Sequence, residues 1–289
     1  MVAGGICGSD VPFFRGAPVP PYAGGGAAPV GFPMHEIVGD VVACGAGADV
    51  REGTRVVGWA DHFDGLADHV VTSAASVAPC PDGWAPEEAV LIQPLACVLY
   101  AVERLGDVRG RHCAVVGLGP IGLLFGHVLR DRGARLVSGV DRVDRRDVAA
   151  ELGIGALHWA SSEQWAARIT DDDRPSVVVE AVGHQVSTLQ HVLSAVAASG
   201  RVFYFGVNDD AVYPLDMGLL LRKNLTLMSG GTLERRRVLS EATAYLGRHP
   251  QLVKHLVTHR FDRVDVQAAY EAAALPAPGR LKVVVTVAP

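Results

Sequence analysis

The chain has 289 residues, of which 49% are hydrophobic and 20% are charged, and its net charge is −5 at pH 7. This length is comfortable for two domains, and the composition allows a sizeable core. Acidic and basic residues are interspersed, which argues against a nucleic-acid partner. Five cysteines without a CxxC pair favour reduced thiols. The apolar stretch Ile121–Leu129 is too short to span a bilayer, so we expect a soluble, cytoplasmic protein with no membrane partner.

Two patterns follow one another along the chain. Residues 1 to 85 alternate glycine- and proline-rich turns with short apolar runs, which predicts an irregular antiparallel β domain. From Glu87 to Leu105 apolar residues recur at helical spacing, and Pro94 predicts a break between two helices. Strand–helix alternation then predicts a parallel sheet covered on both faces. The predicted strands are His112–Val116, Arg135–Val140, Ser176–Val179, Arg201–Phe205, Leu225–Met228 and Lys282–Val287, and the helices are Ile121–Asp131, Arg145–Leu152, Thr188–Ala197 and Leu233–Leu246.

A GxGxxG pattern lies between the first strand and the first helix of this alternation. Gly117 permits a tight turn, Gly119 lets the backbone approach a pyrophosphate, and Gly122 lets helix and strand pack closely. The helix that begins at Pro120 and Ile121 offers free N–H groups and a positive dipole end to the phosphates. The pattern alone also occurs in structural turns, but the strand before it and the helix after it favour dinucleotide binding.

The next predicted strand is followed by Asp141, 24 positions after Gly117. An acidic residue at this place accepts the ribose hydroxyl of the adenosine. A carboxylate disfavours a 2′-phosphate, so the sequence predicts NAD rather than NADP. Arg142, Arg145 and Arg146 keep the NADP alternative open, because an arginine here can bind the phosphate.

Cys7 and the pair His35-Glu36 form a second group of interest. A single cysteine or histidine in apolar surroundings is usually a core residue. Thiolate, imidazole and carboxylate together are also the ligands of catalytic zinc, which takes three protein ligands and keeps one position open. The spacing alone leaves both interpretations open.

The order of short motifs along the chain resembles the zinc-type medium-chain dehydrogenase/reductase family of alcohol and polyol dehydrogenases. The motifs are Gly5-Ile6-Cys7-Gly8-Ser9-Asp10, His35-Glu36 with Val38-Gly39, Ile92-Gln93-Pro94-Leu95-Ala96-Cys97, the glycine pattern, Glu180-Ala181-Val182-Gly183, Gly206-Val207, Thr258-His259-Arg260 and Gly279-Arg280-Leu281-Lys282. The third of them resembles the polyol dehydrogenase branch. Together they cover nearly the whole chain, and their ordered combination is specific.

The resemblance implies an α/β protein in which a doubly wound parallel Rossmann sheet is inserted in a GroES-like, mainly β catalytic domain. The corresponding boundaries are 1–96 and 233–289 for the catalytic domain and 97–232 for the dinucleotide-binding domain, with the substrate in the cleft. In this family the strand near Leu225–Met228 pairs with its twin across a two-fold axis. We therefore expect a homodimer, because so apolar an edge would otherwise aggregate.

The resemblance also implies roles for the residues around the metal. Cys7 and His35 would ligate one catalytic zinc, with Glu36 beside it. Ser9 would pass the alcohol proton toward the ribose and solvent, and Asp10 would orient His35.

At the cofactor, Val207 would present its backbone to the carboxamide, and Arg146 would meet the adenosine ribose. Val182 and Gly206 lie in the motifs that would line the same site. The small-molecule partner would be an alcohol or a ketone.

Three features depart from the family pattern. The strands with which the family usually begins are missing, and so is the four-cysteine lobe, so we expect no structural zinc. Gln93 stands where the family has an acidic third ligand, and a neutral amide lowers the affinity for zinc. Cys97, one helical turn further, is more simply a core residue than a substitute. We predict a weak or substoichiometric zinc site of Cys7, His35 and Glu36, with Gln93 near it.

The leading functional interpretation is hydride transfer between NAD(H) and a secondary alcohol or ketone, with a polyol, sugar or cyclitol as substrate. One alternative is a metal-free medium-chain reductase in which Ser9, His35 or Glu36 does the acid–base work. Another is a catalytically retired paralogue that binds NAD as a structural or regulatory module.

Overall fold

The computed structural model of the protein describes residues 1–21, 25–208 and 210–287. The chain divides into two compact units. The first comprises residues 1–97, residues 233–276 and the residues from 280 onward, and the second comprises residues 98–232 and 277–279.

Strands and helices alternate along most of the described chain. In order they are β1 (Ala3–Ile6), α1 (Val11–Phe14), β2 (Glu36–Asp40), β3 (Arg55–Trp59), β4 (Val77–Pro79), α2 (Pro86–Ala89), α3 (Ile92–Leu105), β5 (His112–Val116), α4 (Pro120–Asp131), β6 (Leu136–Asp141), β7 (Ala156–Trp159), α5 (Ser162–Arg168), β8 (Val177–Glu180), α6 (Val186–Ala195), β9 (Arg201–Tyr204), α7 (Met217–Lys223), β10 (Thr226–Ser229), α8 (Arg235–Arg248), α9 (Gln251–Leu256), β11 (Val257–Asp262), α10 (Val266–Ala274) and β12 (Lys282–Thr286).

The first unit is built on a six-stranded sheet in the order β11-β12-β1-β2-β3-β4. Every neighbouring pair is antiparallel except β11 and β12. Strand β1 therefore lies between the end and the beginning of the chain, with Gly5 opposite Glu36 on one side and Val284 on the other. This pairing joins the N-terminal glycine-rich segment to the valine-rich C-terminal strand. A buried hydrophobic cluster of this unit contains Ile6, Met34, Ala269, Tyr270, Val283 and Val285.

The second unit is built on a six-stranded, entirely parallel sheet in the order β10-β9-β8-β5-β6-β7. The strand order runs outward in both directions from the adjacent pair β5 and β8, which is the doubly wound Rossmann arrangement. The predicted fold class is confirmed. In such sheets ligands bind outside the carboxyl ends of the strands, at the point where the order reverses.

Helix α4 shows why the glycine pattern marks the start of a helix. Gly119 is its N-cap and Pro120 its first residue, where a missing N–H is harmless. The helix ends before Gly133, whose φ of 89° lies in the left-handed region. Its buried face consists of Gly122, Leu123, Leu124, Phe125, Gly126, Val128 and Leu129.

Two local predictions were wrong. The predicted helix Arg145–Leu152 consists of turns, in which backbone N–H groups bond to carbonyls three, four or five residues back instead of forming one continuous series of four-residue bonds. The break predicted at Pro94 occurs earlier, since α2 ends at Ala89 and α3 begins at Ile92. Pro94 lies in the first turn of α3, where no intrahelical N–H bond is lost.

The prediction also omitted several elements, of which β7, α5 and α7 lie in the parallel-sheet unit. Helix α5 begins with a capping box. The Ser161 hydroxyl accepts the Gln164 N–H at 3.1 Å, and the Gln164 side chain accepts the Ser161 N–H at 3.1 Å. This Ser-x-x-Gln signal is readable in the sequence.

In the part of the chain that the structure describes, the helices are too short or too polar to cross a lipid bilayer.

Candidate functional site

The predicted zinc ligands come together in the first unit. Cys7 directly follows β1. His35 directly precedes the adjacent antiparallel strand β2, and Glu36 is the first residue of that strand. The ligand atoms of the three side chains all lie within 4.8 Å of one another. His35 and Glu36 are buried and Cys7 is half-buried. Thiolate, imidazole and carboxylate at this spacing are a donor set that suits zinc.

Asp10 connects two of these residues. Its Oδ1 lies 2.8 Å from Nδ1 of His35, and its Oδ2 accepts the backbone N–H of Cys7 at 2.8 Å. Asp10 is fully buried. Burial lowers the pKa of His35, but the negative Asp10 and Cys7 outweigh it and raise that pKa well above its usual range. The Asp10 contact leaves Nε2 of His35 as the ring nitrogen that can face a metal.

Lys282 is a member of this site that the sequence analysis did not single out. Its ammonium forms an ion pair with the Glu36 carboxylate, and both side chains are almost completely buried. Lys282 also donates to the Ile6 carbonyl at 3.0 Å. A charged residue at the start of the run Val283-Val284-Val285 was the available signal. Glu36 therefore already has a positive partner, which a metal would have to share or displace.

Gln93 lies in the first turn of α3 and is 2% exposed. Its Nε2 donates to the Sγ of Cys97 at 3.6 Å. The amide nitrogen and the thiol thus face each other one turn apart on the same helix. Ser9 lies half-buried in the 3₁₀ turn Gly8–Asp10, two residues after Cys7.

The predicted dinucleotide loop lies in the second unit, at the carboxyl end of β5. Gly117 has a φ of 91°. A Cβ on Gly122 would lie 1.7 Å from the Gly117 carbonyl oxygen, so only glycine allows this helix–strand approach. A Cβ on Gly119 would meet nothing within 4 Å. The loop therefore has one glycine for the turn, one for packing and one that faces open space, where a pyrophosphate needs access to the backbone.

Asp141 is the last residue of β6 and contacts this loop. Its Oδ2 accepts the Leu118 N–H at 2.5 Å, and its Oδ1 accepts the Val143 N–H at 2.7 Å. Arg145 is 3% exposed and donates to the Ala277 carbonyl at 2.8 Å. Arg146 is exposed and forms an ion pair with Asp144. Arg142 is exposed.

Glu180 ends the neighbouring strand β8 and is fully buried. Its Oε1 accepts the N–H groups of Val182 and Gly183, each at 3.1 Å. Burial raises the pKa of Glu180 to about 7, although backbone N–H groups of Gly183, Val182 and Gly206 act in the opposite direction. A Cβ on Gly206 would lie 2.7 Å from Oε2 of Glu180. The carboxyl group thus joins the loops after β8 and β9.

Val207 lies in the loop after β9 and is 41% exposed. Its carbonyl accepts the His184 N–H at 2.8 Å. Gly183 and His184 both have positive φ, at 59° and 51°, which brings the two loops together. The predicted residues Val182, Gly206 and Val207 are therefore neighbours at the carboxyl edge of the parallel sheet.

Comparison with known proteins agrees with this geometry. Residues 87–287 match the family described as "Glucose dehydrogenase C-terminus". The chain therefore belongs to this family of zinc-type medium-chain dehydrogenases/reductases, as the motifs predicted, and is an oxidoreductase of the alcohol or polyol dehydrogenase type.

Individual relatives cover almost the whole chain. D-arabinitol dehydrogenase 1 of Uromyces fabae is 24% identical over 305 residues, which is 93% of this chain and 84% of the relative. Alcohol dehydrogenase TADH from Thermus sp. ATN1 superposes with a TM-score of 0.82 at 25% identity, over 99% of this chain and 91% of its own. An alcohol dehydrogenase (rspB) from E. coli CFT073, solved with the cofactor NADH, has the same fold, with a TM-score of 0.79 at 21% identity over 99% and 90% of the two chains.

Proposed function

We propose that the chain interconverts a secondary alcohol and its ketone, with NAD(H) as hydride carrier and zinc held at Cys7, His35 and Glu36. The observation that carries the proposal is the cluster of three ligand atoms within 4.8 Å of one another. Asp10 supports the cluster through hydrogen bonds to the first two residues. Residues 1–96 and 233–289 are proposed as the catalytic domain, and 97–232 as the dinucleotide-binding domain.

Zinc bound by this donor set would supply a Lewis acid that polarises the alcohol oxygen. Asp10 fixes the orientation of the His35 ring, and its bond to the Cys7 N–H fixes the backbone that carries the thiolate. The Glu36 carboxylate would contact the zinc while it also forms its ion pair with Lys282. Gln93 adds no charge, so we expect weak or substoichiometric zinc.

Ser9 is proposed to move the alcohol proton. Its hydroxyl both donates and accepts a hydrogen bond, which a relay toward the ribose and solvent requires. Ser9 lies in the turn that begins directly after Cys7, so it is only two residues from the thiolate along the chain.

NAD is proposed as the cofactor because Asp141 ends β6 beside the glycine loop. Each of its carboxylate oxygens accepts one backbone N–H and keeps a lone pair for a ribose hydroxyl. NADH should bind at least about tenfold tighter than NADPH, or some 1.4 kcal/mol.

We propose a polyol, sugar or cyclitol as the substrate. The Ile92–Cys97 motif resembles the polyol branch, and the relative named D-arabinitol dehydrogenase acts on an acyclic polyol by its name. We also propose a cytoplasmic location, since none of the five cysteines, all within the described residues, forms a disulfide.

A homodimer is proposed through β10, the last strand of the parallel sheet. Leu227 and Met228 of this strand are only half-buried. On α7, Met217 is 65% and Leu221 82% exposed. An apolar strand edge of this kind needs a partner to avoid aggregation. A monomer in light scattering at micromolar concentration would contradict this assembly.

The metal-free reductase is the second candidate, and the buried Glu36–Lys282 ion pair favours it. This pair gives Glu36 a counter-charge without any metal. In that case Ser9 or His35 would do the proton transfer.

Zinc content, NADH binding and turnover of a polyol panel test the proposal together. We expect zinc that is removed by extended chelator dialysis, NADH binding that survives this treatment, and polyol oxidation that is lost with the zinc. A Cys7→Ser variant should lose zinc and turnover but keep NADH binding, with Cys44→Ser, at an exposed thiol, as the matched control. Turnover that persists without zinc would establish the metal-free candidate, and NADH binding without any turnover would establish a retired paralogue.

A further inference from the structure

Arg146 is held by a neighbouring carboxylate in the turn after β6. Its Nε lies 3.0 Å from Oδ1 and 2.9 Å from Oδ2 of Asp144, and its Nη2 also donates to Oδ2. The backbone N–H of Arg146 donates to Oδ1 of Asp144 at 3.0 Å. The guanidinium and the carboxylate therefore meet in a forked, charge-assisted arrangement.

An exposed indole forms the other side of this arrangement. The guanidinium carbon of Arg146 lies 5.4 Å from the centroid of the Trp159 ring. Trp159 is 62% exposed, and its Nε1 donates to the Arg142 carbonyl at 2.9 Å. Trp159 ends β7 directly opposite Asp141 in the parallel register. The Asp144–Arg146 pair thus lies at the same carboxyl edge as Asp141.

Carboxylates balance the arginines at this edge, so it carries no net positive charge for a further anion. Asp144 stays ionised because hydrogen bonds from Arg146 lower its pKa to about 2. Arg145 is buried against the Ala277 carbonyl. The positive charge of Arg146 is matched by Asp144, and Asp141 contributes a second carboxylate.

We propose that Asp144 is a specificity-determining residue that disfavours NADP(H), because its carboxylate holds Arg146 on Trp159 and away from a 2′-phosphate. This inference rests on the proposed function, in which the adenosine ribose lies at Asp141. Released from Asp144, Arg146 offers the planar guanidinium that binds phosphate well.

The expected effect is moderate. The Arg146 side chain is 71% exposed and that of Asp144 23%, so solvent screens the pair. We expect the Asp144→Asn substitution to lower the Kd of NADPH about fivefold and to change that of NADH less than about twofold. The gain should shrink as ionic strength rises, because salt screens exposed charges.

The test is a fluorescence titration of NADH and NADPH against the full-length wild type, D144N, the double variant D144N/R146Q and the control D147N. Asp147 is an exposed carboxylate three residues away, so D147N removes the same charge from the same segment. We expect the affinity for NADPH to rise in D144N and not in D147N, and this rise to disappear in D144N/R146Q.

The inference would be overturned if NADPH affinity rose equally in D147N, did not rise in D144N, or stayed raised in D144N/R146Q. In each of these cases the variants would still bind NADH, so the proposed function would stand. Survival in the double variant would point to Arg142 instead. Wild-type protein that binds neither cofactor would overturn the proposed function, and the inference with it.

Discussion

Each unit of the molecule contains a fully buried glutamate, and the two are balanced in different ways. Glu36 in the mixed sheet forms an ion pair with Lys282, which lies 246 positions later in the chain. Glu180 in the parallel sheet accepts backbone N–H groups from residues two and three positions later. The first is balanced by a distant charged side chain and the second by the local backbone.

This difference separates what each site can do. A carboxylate that forms an ion pair with a cationic side chain can also be shared with a metal, and carboxylate is one of the ligands of zinc. For Glu180, burial raises the pKa to about 7, although the backbone N–H groups that it accepts favour the ionised form. Glu36 is thus suited to metal ligation, whereas Glu180 holds together the loops after β8 and β9 at the carboxyl edge of the parallel sheet.

The largest effect is expected when the charged partner of Glu36 is removed. Lys282→Met should lower the free energy of unfolding of the metal-free protein by about 3–5 kcal/mol, because it leaves an uncompensated buried carboxylate. The double variant E36Q/K282M should recover most of this loss. Urea unfolding with and without zinc checks the prediction, and zinc should stabilise K282M more than the wild type. A loss below about 1 kcal/mol would mean that the pair is not a buried charge pair.

The second effect concerns the pH dependence of stability at Glu180. In the folded chain this carboxyl keeps its proton up to a pH of about 7, whereas its ordinary pKa is 4.5. Its contribution is therefore fully present below pH 4.5 and is lost as the pH rises through 7, about 3 kcal/mol in all.

Glu180→Gln removes this titration. Between pH 5 and pH 8 the wild type should lose about 2–3 kcal/mol more stability than E180Q in urea unfolding. The variant E163Q, at an exposed carboxylate of α5, serves as control and should follow the wild type. Parallel curves for wild type and E180Q would contradict the assignment.

The third prediction separates packing from binding within the glycine loop. Gly122→Ala should cost about 1–3 kcal/mol of stability, because its Cβ would clash with the Gly117 carbonyl. Gly119→Ala should change stability by less than about 0.5 kcal/mol, since its Cβ meets nothing. The G119A variant should nevertheless weaken NADH binding about tenfold, or 1.4 kcal/mol. Unchanged NADH affinity in G119A would show that the pyrophosphate does not approach this position.

The smallest expected effect is at Gln93. Gln93→Glu adds a carboxylate at the residue that the sequence analysis predicts to lie near the zinc, and it should raise zinc affinity about tenfold, roughly 1.4 kcal/mol. Zinc occupancy after chelator dialysis measures this gain, and Q251E on the exposed start of α9 controls for added charge. Wild-type protein that already retains one zinc per chain through the dialysis would refute the weakened site.

The sequence predicted the local features of both sites. Glycine roles at Gly117, Gly119 and Gly122 follow from a strand–turn–helix context that is contiguous in the chain. The resemblance implied that Asp10 orients His35, and the two are hydrogen-bonded. Lys282 stands in a motif that the sequence analysis named, but its contact with Glu36 was missed. This contact depends on β12 lying next to β1, and no local sequence pattern predicts that long-range strand pairing.

The failed helix prediction has a related cause. The segment after Asp141 has helical spacing, but Arg145 turns inward to the Ala277 carbonyl and Gly153 ends the segment. Tertiary contacts of this kind override local propensity.

X-ray absorption at the zinc edge of the zinc-loaded protein tests the central claim most directly. A site of Cys7, His35 and Glu36 predicts one sulfur ligand at about 2.3 Å and the remaining ligands, nitrogen and oxygen, at about 2.0–2.2 Å. C7S should lose the sulfur signal, and C97S should keep it. A spectrum without sulfur, or with two sulfur ligands that fall to one in C97S, would contradict the ligand set.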